Sequence, residues 1–490
     1  MNNLMSFATL VHLTGPALVL AIAAFVIMLY ELIVPQREAK MLAPWLSVIA
    51  TIGALLYAIL RLGATVTTVP SQIVLDDFGT IFAILLLIAT LIVLLLAIAS
   101  KGKHELPFEY SYLILFATVG AIIMTSAFDL ITMYVGLELL SITSYVLVAL
   151  YRHQSKSAEA SMKYLIVGSI ASATILYGMT FLYGISGSTN LAAIASAMQT
   201  GWTSYASLAY LALGLIVTGI GVKISAVPFH LWTADVYEGA PTPVTAYLAV
   251  VSKAAVFALF IRLTYGAFAS NGSVWFSAVA WLAVITMIVG NFGALAQKNV
   301  KRMLAYSSIG NAGYLLVPFA IAGLVATTNS FTQNLSALMY YLFAYAFMTI
   351  GAFAIYTIVT KEEGAGDFNA FTGLFARNPI LASAMTLFLL ALAGMPLTGG
   401  FIGKVMIFLA AFSANQYWLG IILFATSVVA FYYYFGVIKA MFAKPEGEAI
   451  PLRVAPLMQV VILICAMGIV WLGIFPGTLN GVLNGLHWFG

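Results

Sequence analysis

Four ionisable side chains stand inside long apolar stretches of this sequence: Glu138, Lys223, Lys253 and Lys404. A charged group at bilayer depth costs roughly 2.5–3.5 kcal/mol on insertion scales. Packing against lipid does not offset this cost, so we expect these groups to face a wet or paired interior. An acid and an amine that charge one another at close range can release a proton when one of them moves. The residue types therefore predict a membrane protein that handles protons.

All three deep basic residues are lysines, which can give up a proton inside a protein, whereas arginine cannot. A close Glu138–Lys223 pair would stabilise the charged form of both side chains. Two alternatives stay open: such a pair is also a static packing device, and Lys404 could instead reach a lipid headgroup. His230, which follows Pro228, is a further relay candidate or an ordinary helix-end histidine.

The elements that carry these side chains are predicted to be transmembrane helices. Of 490 residues, 63% are hydrophobic and 7% charged, whereas a soluble domain carries about 25% charged residues. Apolar runs long enough to cross a roughly 30 Å hydrocarbon core recur throughout, and helices satisfy their own backbone in lipid. We therefore expect an all-α polytopic membrane protein with about fourteen transmembrane helices. The predicted spans are residues 14–34, 43–62, 78–99, 111–128, 130–150, 160–184, 206–227, 242–264, 274–296, 303–324, 335–360, 379–411, 417–440 and 455–475.

The loops between these spans alternate in charge. Of the 20 Lys and Arg residues, three lie inside spans, two (Arg61 and Arg262) lie near outer ends, and the remaining fifteen flank one face. The positive-inside rule makes that face cytoplasmic and places both termini outside. The first apolar run has no preceding charge and no small-residue cleavage site, so we expect it to be a retained span.

Two predicted spans contain helix-breaking residues. The seventh stops at Pro228, and the twelfth contains GMPLTGGFIGK, Gly394–Lys404. Two interrupted helices at corresponding positions point to a transporter built from inverted repeats. We predict two inverted five-helix repeats and two discontinuous helices. The predicted units are helices one to three in 1–105, the first repeat in 106–268, the second in 269–445 and helix fourteen in 446–490.

Several cofactor motifs are missing from the sequence. There is no GxxxxGK[ST] phosphate loop and no GxGxxG dinucleotide motif. The single cysteine, Cys465, excludes an intrachain disulfide and a cysteine-ligated iron–sulfur cluster. We expect no cofactor and no metal in this chain, and we read the net charge of +4 as loop bias, not as a sign of nucleic-acid binding. An ion gradient or an attached partner would have to drive proton movement.

Four motifs resemble subunit N of bacterial NADH-quinone oxidoreductase (respiratory complex I) and its organellar counterpart, subunit 2. The motifs are HLWTADVYEGAPTPV (His230–Val244), NVKRMLAYSSIGNAGYLL (Asn299–Leu316), AEASMKYL (Ala158–Leu165) and GMPLTGGFIGK. The resemblance covers nearly the whole chain. It implies a bacterial plasma-membrane protein that takes part in an enzyme, a proton-translocating NADH:quinone oxidoreductase, without a redox site of its own.

The resemblance also implies roles for the buried charges. Glu138 matches the carboxylate of the family's fifth helix and Lys223 the lysine of the broken seventh. Lys253 matches the connecting lysine of the eighth helix, and Lys404 the terminal lysine of the broken twelfth. Protons would enter from the cytoplasm, follow a hydrated axis and leave outside, driven by quinone reduction elsewhere. FMN, iron–sulfur clusters and quinone would belong to partner subunits, among them membrane-arm subunits of the M, K, L and J types.

Two positions depart from the family pattern. Ala234 stands where relatives commonly have proline, and Asn311 where many have histidine. No histidine occurs from 231 to 486, so a relay in the second half must use lysine, tyrosine, serine and water. Two other functions remain as alternatives: a subunit of a multisubunit sodium/proton antiporter, for which no acidic cation site is found, and a structural subunit with a vestigial channel.

Four charged residues near predicted helix starts have simpler interpretations. Glu159 and Lys163 are four apart and predict an exposed ion pair along a helix. Lys301 and Arg302 are interpreted as positive-inside anchors.

Overall fold

The computed structural model describes residues 7–64, 72–100, 106–268, 272–324, 328–363, 366–445 and 451–488. Nearly all secondary structure in these ranges is helical, with a π-helical turn at Leu248–Ser252 and a 3₁₀ turn at Phe368–Phe371. The α-helices are α1 (Phe7–Ile33), α2 (Gln36–Leu60), α3 (Asp77–Ala99), α4 (Tyr110–Ser126), α5 (Leu130–Val148), α6 (Ser155–Ser186), α7 (Leu191–Ser204), α8 (Ala206–Lys223), α9 (Thr233–Gly239), α10 (Thr242–Tyr247), α11 (Lys253–Ala267), α12 (Gly272–Leu295), α13 (Val300–Ala322), α14 (Thr328–Glu363), α15 (Leu374–Arg377), α16 (Pro379–Ala393), α17 (Gly399–Ser413), α18 (Tyr417–Phe442), α19 (Pro456–Ile474) and α20 (Pro476–Asn484).

In the described ranges, 12 helical stretches are long and apolar enough to cross a membrane, and α4, α16 and α17 are shorter apolar helices. One of these stretches, Thr242–Ala267, joins α10, the π turn and α11. The all-α polytopic class is thereby confirmed. The count of fourteen spans stays a prediction, because 15 to 17 residues do not cross the hydrocarbon core unaided.

The structure corrects several predicted boundaries. The span expected at 206–227 ends earlier, as α8 at Lys223. The span expected at 379–411 divides into α16 and α17, as its helix-breaking residues predict. Helices α7 and α9 lie where the sequence predicted loops, and α20 follows the last predicted span. The predicted unit boundaries at 105, 268 and 445 fall on or beside 101–105, 269–271 and 446–450, which lie outside the described residues, as does the charged loop KGKHE at 101–105.

The helices at the centre of the bundle are buried, and those at its periphery expose apolar side chains. All of the most apolar part of the Thr242–Ala267 stretch is buried, as is 94% of that part of α13, against 28% in α1. A buried helix in a membrane bundle packs against other helices on every side. The centre of the molecule is therefore the stretch that carries Lys253, flanked by α13 and α14.

Helices α5 and α13 begin in the same way. Asp129 caps α5 by accepting from the backbone amides of Ile131 and Thr132, and Asn299 caps α13 by accepting from Lys301 and Arg302. Each capping residue also forms an isolated antiparallel bridge with a later loop, Asp129 with Asn190 and Asn299 with Asp367.

The backbone hydrogen bonds of the two bridges correspond one to one. Leu130 donates to the Thr189 carbonyl and Leu191 to the Phe128 carbonyl, at 2.9 and 3.1 Å. In the second case Val300 donates to the Gly366 carbonyl and Phe368 to the Lys298 carbonyl, at 2.8 and 3.1 Å. The same local design therefore fixes the start of a helix in each half of the chain.

Candidate functional site

The first predicted lysine, Lys223, lies in the last turn of α8, where the helix stops. Ser225 follows with φ of 64°, a left-handed conformation that a non-glycine residue adopts only when its surroundings impose it. The Lys223 ammonium is buried and donates to Ser141 Oγ at 2.8 Å and to the Tyr145 hydroxyl at 3.3 Å, both on α5. The interrupted helix thus brings Lys223 against one face of α5.

Glu138 is one turn before Ser141 on α5, yet within the described residues it forms no ion pair with Lys223 at 4.0 Å or less. The structure shows no direct pair, because Ser141 and Tyr145 accept from the ammonium, but Glu138 lies close enough to interact with Lys223 through its charge. Glu138 is partly exposed, and its Oε1 is buried without a hydrogen-bond partner. It lies among the outward-facing residues Ile131, Val135, Ile142 and Val146.

A row of aromatic residues leads from Lys223 toward the centre of the bundle. Tyr145 packs edge-on against Tyr164 of α6, with ring centroids 4.8 Å apart. The Tyr164 hydroxyl lies within reach of Ser252, the last residue of the π turn. Gly168 of α6 lies directly over the Tyr145 hydroxyl, since a Cβ there would be 2.2 Å from its oxygen. This glycine leaves room for the hydroxyl that accepts from Lys223.

Lys253 follows the π turn and is 3% exposed. A π turn inserts an extra residue into a helix and is frequently found at functional sites. The Lys253 ammonium donates twice to Ser308 of α13, to its Oγ at 2.6 Å and to its carbonyl at 2.8 Å. Both partners are neutral.

The polar row continues along α13. Asn311 donates to the Ser307 carbonyl at 2.9 Å and accepts from the Tyr341 hydroxyl of α14. Ser307 in turn shares a hydrogen bond with the Tyr434 hydroxyl of α18. Asn311 thus lies inside a chain of hydroxyl groups.

Lys404 of α17 lies at the other end of this row. Its ammonium donates to the carbonyls of Leu392 and Ala393, both at 2.9 Å, at the carboxyl end of α16. A helix carboxyl end carries partial negative charge that favours a cation. The ammonium also lies 4.6 Å from the centre of the Tyr314 ring. Because Lys404 is only 5% exposed, it does not reach a headgroup, which excludes that alternative.

His230 stands apart from these groups. Its ring lies 6.3 Å from the Tyr306 ring, and its Nδ1 is buried without a hydrogen-bond partner. In the described structure it contacts none of the four predicted charges. Its role as a proton carrier remains a prediction.

A second charged cluster surrounds α9, at the end of the bundle where α6 and α13 begin. Arg302 donates to Asp235 at 2.7 Å and to Glu238 at 2.8 Å. Lys163 binds Asp235, and Lys156 binds Glu238. Burial raises the pKa of Asp235 and Glu238, but hydrogen bonds from these cations outweigh burial and hold both pKa values below their usual range. These ion pairs fasten α9 to its neighbours.

This cluster changes two interpretations from the sequence. Glu159 and Lys163 do form the expected i,i+4 pair, at 2.7 Å, but Lys163 also reaches Asp235. Lys301 is buried and donates to the Ala240 carbonyl at 2.6 Å, so it is not a surface anchor. The positive-inside rule counts charges near a membrane face and does not say which way they point.

One buried ion pair escaped the sequence analysis. Arg262, expected near an outer end, is 1% exposed and binds both oxygens of Asp76, at 2.6 and 2.8 Å. It also donates to the Thr125 carbonyl at 2.6 Å. The geometry is that of a bidentate arginine–carboxylate pair. The buried Arg262 cation is therefore paired with a carboxylate, whereas the buried lysines Lys223, Lys253 and Lys404 bind neutral oxygens.

A bundle of apolar helices, two of them interrupted beside buried lysines, defines a polytopic protein of the ion-transporter class. Residues 127–430 match the family model described as "NADH:quinone oxidoreductase/Mrp antiporter, TM". The chain therefore belongs to this transmembrane family, and its curated relatives place it with NADH-quinone oxidoreductase subunit N, which confirms the resemblance noted in the sequence.

Two such relatives carry the name "NADH-quinone oxidoreductase subunit N". The protein from Paenibacillus sp. is 40% identical over 95% of this chain and 94% of its own length. The protein from Trichlorobacter lovleyi is 41% identical over the same shares.

The fold also matches solved structures. A chain of respiratory complex I from Thermus thermophilus aligns with a TM-score of 0.80 and 31% identity, over 96% of this chain and 99% of that one. A chain of the Mrp complex from Dietzia sp. aligns with a TM-score of 0.85 at 20% identity, over 96% of both chains, which shows the shared fold.

Proposed function

We propose that this chain is a proton-translocating subunit of the membrane arm of an NADH-quinone oxidoreductase. Lys223, Lys253 and Lys404 would carry protons, with Glu138 as the acid at one end of the row. The observation that carries the proposal is the chemistry of their partners. In the described part of the chain, each of the three ammonium groups is buried and bound by neutral hydroxyl or carbonyl oxygens.

Neutral partners suit a proton carrier. An ammonium held by a carboxylate leaves an uncompensated buried anion when it loses its proton, which is costly. An ammonium held by hydroxyls leaves none. Arg262, whose partner is Asp76, illustrates the opposite arrangement in the same chain. The contrast supports a transport role for the lysines and a structural role for the arginine.

The row of polar groups supports a path across the molecule. It runs from Lys223 through Tyr145 and Tyr164 to Ser252, which precedes Lys253 in the chain. From Lys253 it passes to Ser308 and then along Ser307, Asn311, Tyr341 and Tyr314 to Lys404. Several buried oxygens near it, such as Glu138 Oε1 and Tyr345 Oη, have no hydrogen-bond partner among the described atoms. Buried polar atoms of this kind are the usual partners of internal water.

The finer architecture belongs to the same proposal. The matching caps and bridges of α5 and α13 support two inverted repeats, 106–268 and 269–445, within about fourteen spans. The alternation of loop charge supports a cytoplasmic position for the α9 cluster and outer positions for both termini. The cavity of about 230 Å³ at this cluster admits water and is our candidate for proton entry. The membrane would be the bacterial plasma membrane.

Two surface features support neighbouring membrane subunits. Glu138 lies on an outward face of α5, where lipid would leave its charge unpaired. Leu397 is 72% exposed and belongs to the irregular backbone before Gly399, which packs beside Ala344 in the middle of α14. Irregular backbone at membrane depth is tolerated only when protein covers it or when it lines a water-filled cavity. Partners of the M, K, L and J types would cover these sites, with FMN, iron–sulfur clusters and quinone held elsewhere in the complex.

The test is NADH-driven proton uptake by inverted membrane vesicles that contain the assembled complex. We expect Lys253→Ala to lower the proton uptake by about tenfold, a modest loss for a proton-transfer group. The matched control is Lys439→Ala, which removes an exposed lysine from α18. Normal proton uptake by assembled Lys253→Ala would reject the proposal in favour of a vestigial channel. Uptake driven by sodium without NADH would favour the multisubunit antiporter.

A further inference from the structure

The register of the two matching helices relates Glu138 to Ser308. Glu138 lies nine residues after Asp129, and Ser308 lies nine residues after Asn299. Both helices are regular from the cap onward, so nine residues give the same rise and the same rotation about each axis. The two side chains therefore leave equivalent points of α5 and α13.

The preceding helices confirm this register independently. A Cβ at Gly120 of α4 would lie 2.6 Å from the backbone nitrogen of Leu140, and a Cβ at Gly290 of α12 would lie 2.4 Å from that of Gly310. Leu140 is two residues after Glu138, as Gly310 is two residues after Ser308. The helix crossing thus occurs at the same place in both halves.

We propose that Ser308 takes, in the second half, the place that Glu138 has in the first, and that it is a positioning residue for the Lys253 ammonium. The inference rests on the proposed function, in which Lys253 carries a proton. The Lys253 side chain extends from α11 to α13. Both hydrogen bonds of its ammonium group are to Ser308. One residue therefore fixes where the ammonium sits.

A hydroxyl at this place has a property that a carboxylate lacks. It accepts a hydrogen bond from the ammonium and can donate one to the neutral amine after the proton has left. An ionised carboxylate only accepts, and it would hold Lys253 as Asp76 holds Arg262. Ser308 thereby serves both protonation states of Lys253.

The other titratable groups around this contact are tyrosines. Tyr237 of α9 and Tyr345 of α14 face Ser308, and Tyr164 of α6 faces Ser252 beside Lys253. Within the described residues, no carboxylate lies within 4.0 Å of the ammonium. The protonation of Lys253 should therefore respond to a change at Ser308 more than to any neighbouring anion.

The experiment compares Ser308→Ala, Ser308→Thr and Ser308→Glu in the assembled complex. The readout is the pH profile of NADH-driven proton uptake in vesicles. In Ser308→Ala the ammonium loses one acceptor, so we expect the alkaline limb to move to lower pH by about one unit, as for one charge-assisted hydrogen bond. Ser308→Thr keeps the hydroxyl and should keep the profile. Ser308→Glu supplies a counter-charge and should move the limb to higher pH while lowering the maximal rate.

The matched control is Thr264→Ala, which removes a buried hydroxyl of α11 that bonds only to its own helix. It should leave the profile unchanged. An unshifted limb in Ser308→Ala, or equal profiles for the Thr and Glu variants, overturns the inference. If the alanine variant does not assemble, the Thr and Glu variants carry the same test. Normal uptake by Lys253→Ala overturns the proposed function itself, whereas a loss there with no response at Ser308 overturns only this inference.

Discussion

Arg262 binds Asp76 through two parallel hydrogen bonds of 2.6 and 2.8 Å, with both side chains almost completely buried. Asp76 also caps α3 by accepting from the Gly79 amide, and Arg262 donates to the last turn of α4 at Thr125. One ion pair therefore joins α3, α4 and α11. Because α11 begins with Lys253, this pair anchors the helix that positions the central lysine.

Replacement of this arginine should destabilise the fold. Arg262→Ala leaves the Asp76 carboxylate buried without its partner, which costs about 3–5 kcal/mol. The chain offers its own reporter, because its single cysteine, Cys465, is buried. Thiol labelling on heating should begin at a lower temperature in Arg262→Ala than in the parent. If labelling of Arg262→Ala began at the same temperature as in the parent, the ion pair would contribute little to the stability of the fold. Lys439→Ala serves as the control.

Gly168→Ala should impair transport without removing any titratable group. The new Cβ would collide with the Tyr145 hydroxyl, which must then leave the Lys223 ammonium. We expect a several-fold loss of NADH-driven proton uptake in assembled vesicles. The control is Gly184→Ala on the same helix, where no atom lies within 4 Å of the new Cβ. Equal uptake by the two alanine variants would remove Tyr145 from the path.

Lys404→Arg should separate charge from proton release. Arginine can still donate to the Leu392 and Ala393 carbonyls, but it does not give up its proton. Proton uptake in Lys404→Arg should stay close to that of Lys404→Ala, while thermal stability should stay close to that of the parent. Full uptake in the arginine variant would make Lys404 a purely electrostatic element of the helix end.

The α9 cluster should loosen in acid. Because the pKa values of Asp235 and Glu238 lie below their usual range, the ion pairs contribute stability above about pH 4 and lose it as the pH falls through the lowered pKa values. Hydrogen exchange, corrected for the intrinsic rate, should show falling protection of α9 below pH 4 while α5 keeps its protection. Asp235→Asn should show part of this loss at neutral pH. Unchanged protection of α9 at pH 3 would contradict a fastening role.

The sequence predicts which charges are buried better than it predicts what they touch. Lys223, Lys253 and Lys404 are recognisable because the cost of a charge in lipid depends on the local sequence alone. The partner of Lys223 depends on how α5 is turned about its own axis, because Glu138 and Ser141 lie three residues, or about 60°, apart around that helix. Arg262 was misjudged because its partner is far away in sequence, at Asp76. Short helices such as α9, with 7 residues, contain too few turns to be distinguished from loops by their periodicity.

The site residues that were missed share one property: they are ordinary serines and tyrosines. Ser141 was detectable in principle, since it lies three residues after Glu138 on the same side of a helix. Ser308 and Tyr341 were not, because only the packing of α13 against α11 and α14 gives them polar neighbours. The matching caps of α5 and α13 become visible only in the structure, because residues 129 and 299 differ in type.

The π turn at Leu248–Ser252 sets the direction in which Lys253 leaves its helix. Regularising that turn would remove the extra residue from the winding and swing everything beyond it by about a hundred degrees. The Lys253 ammonium would then no longer point at Ser308 of α13. The extra residue just ahead of the central lysine therefore directs its ammonium toward α13, in the second half of the chain.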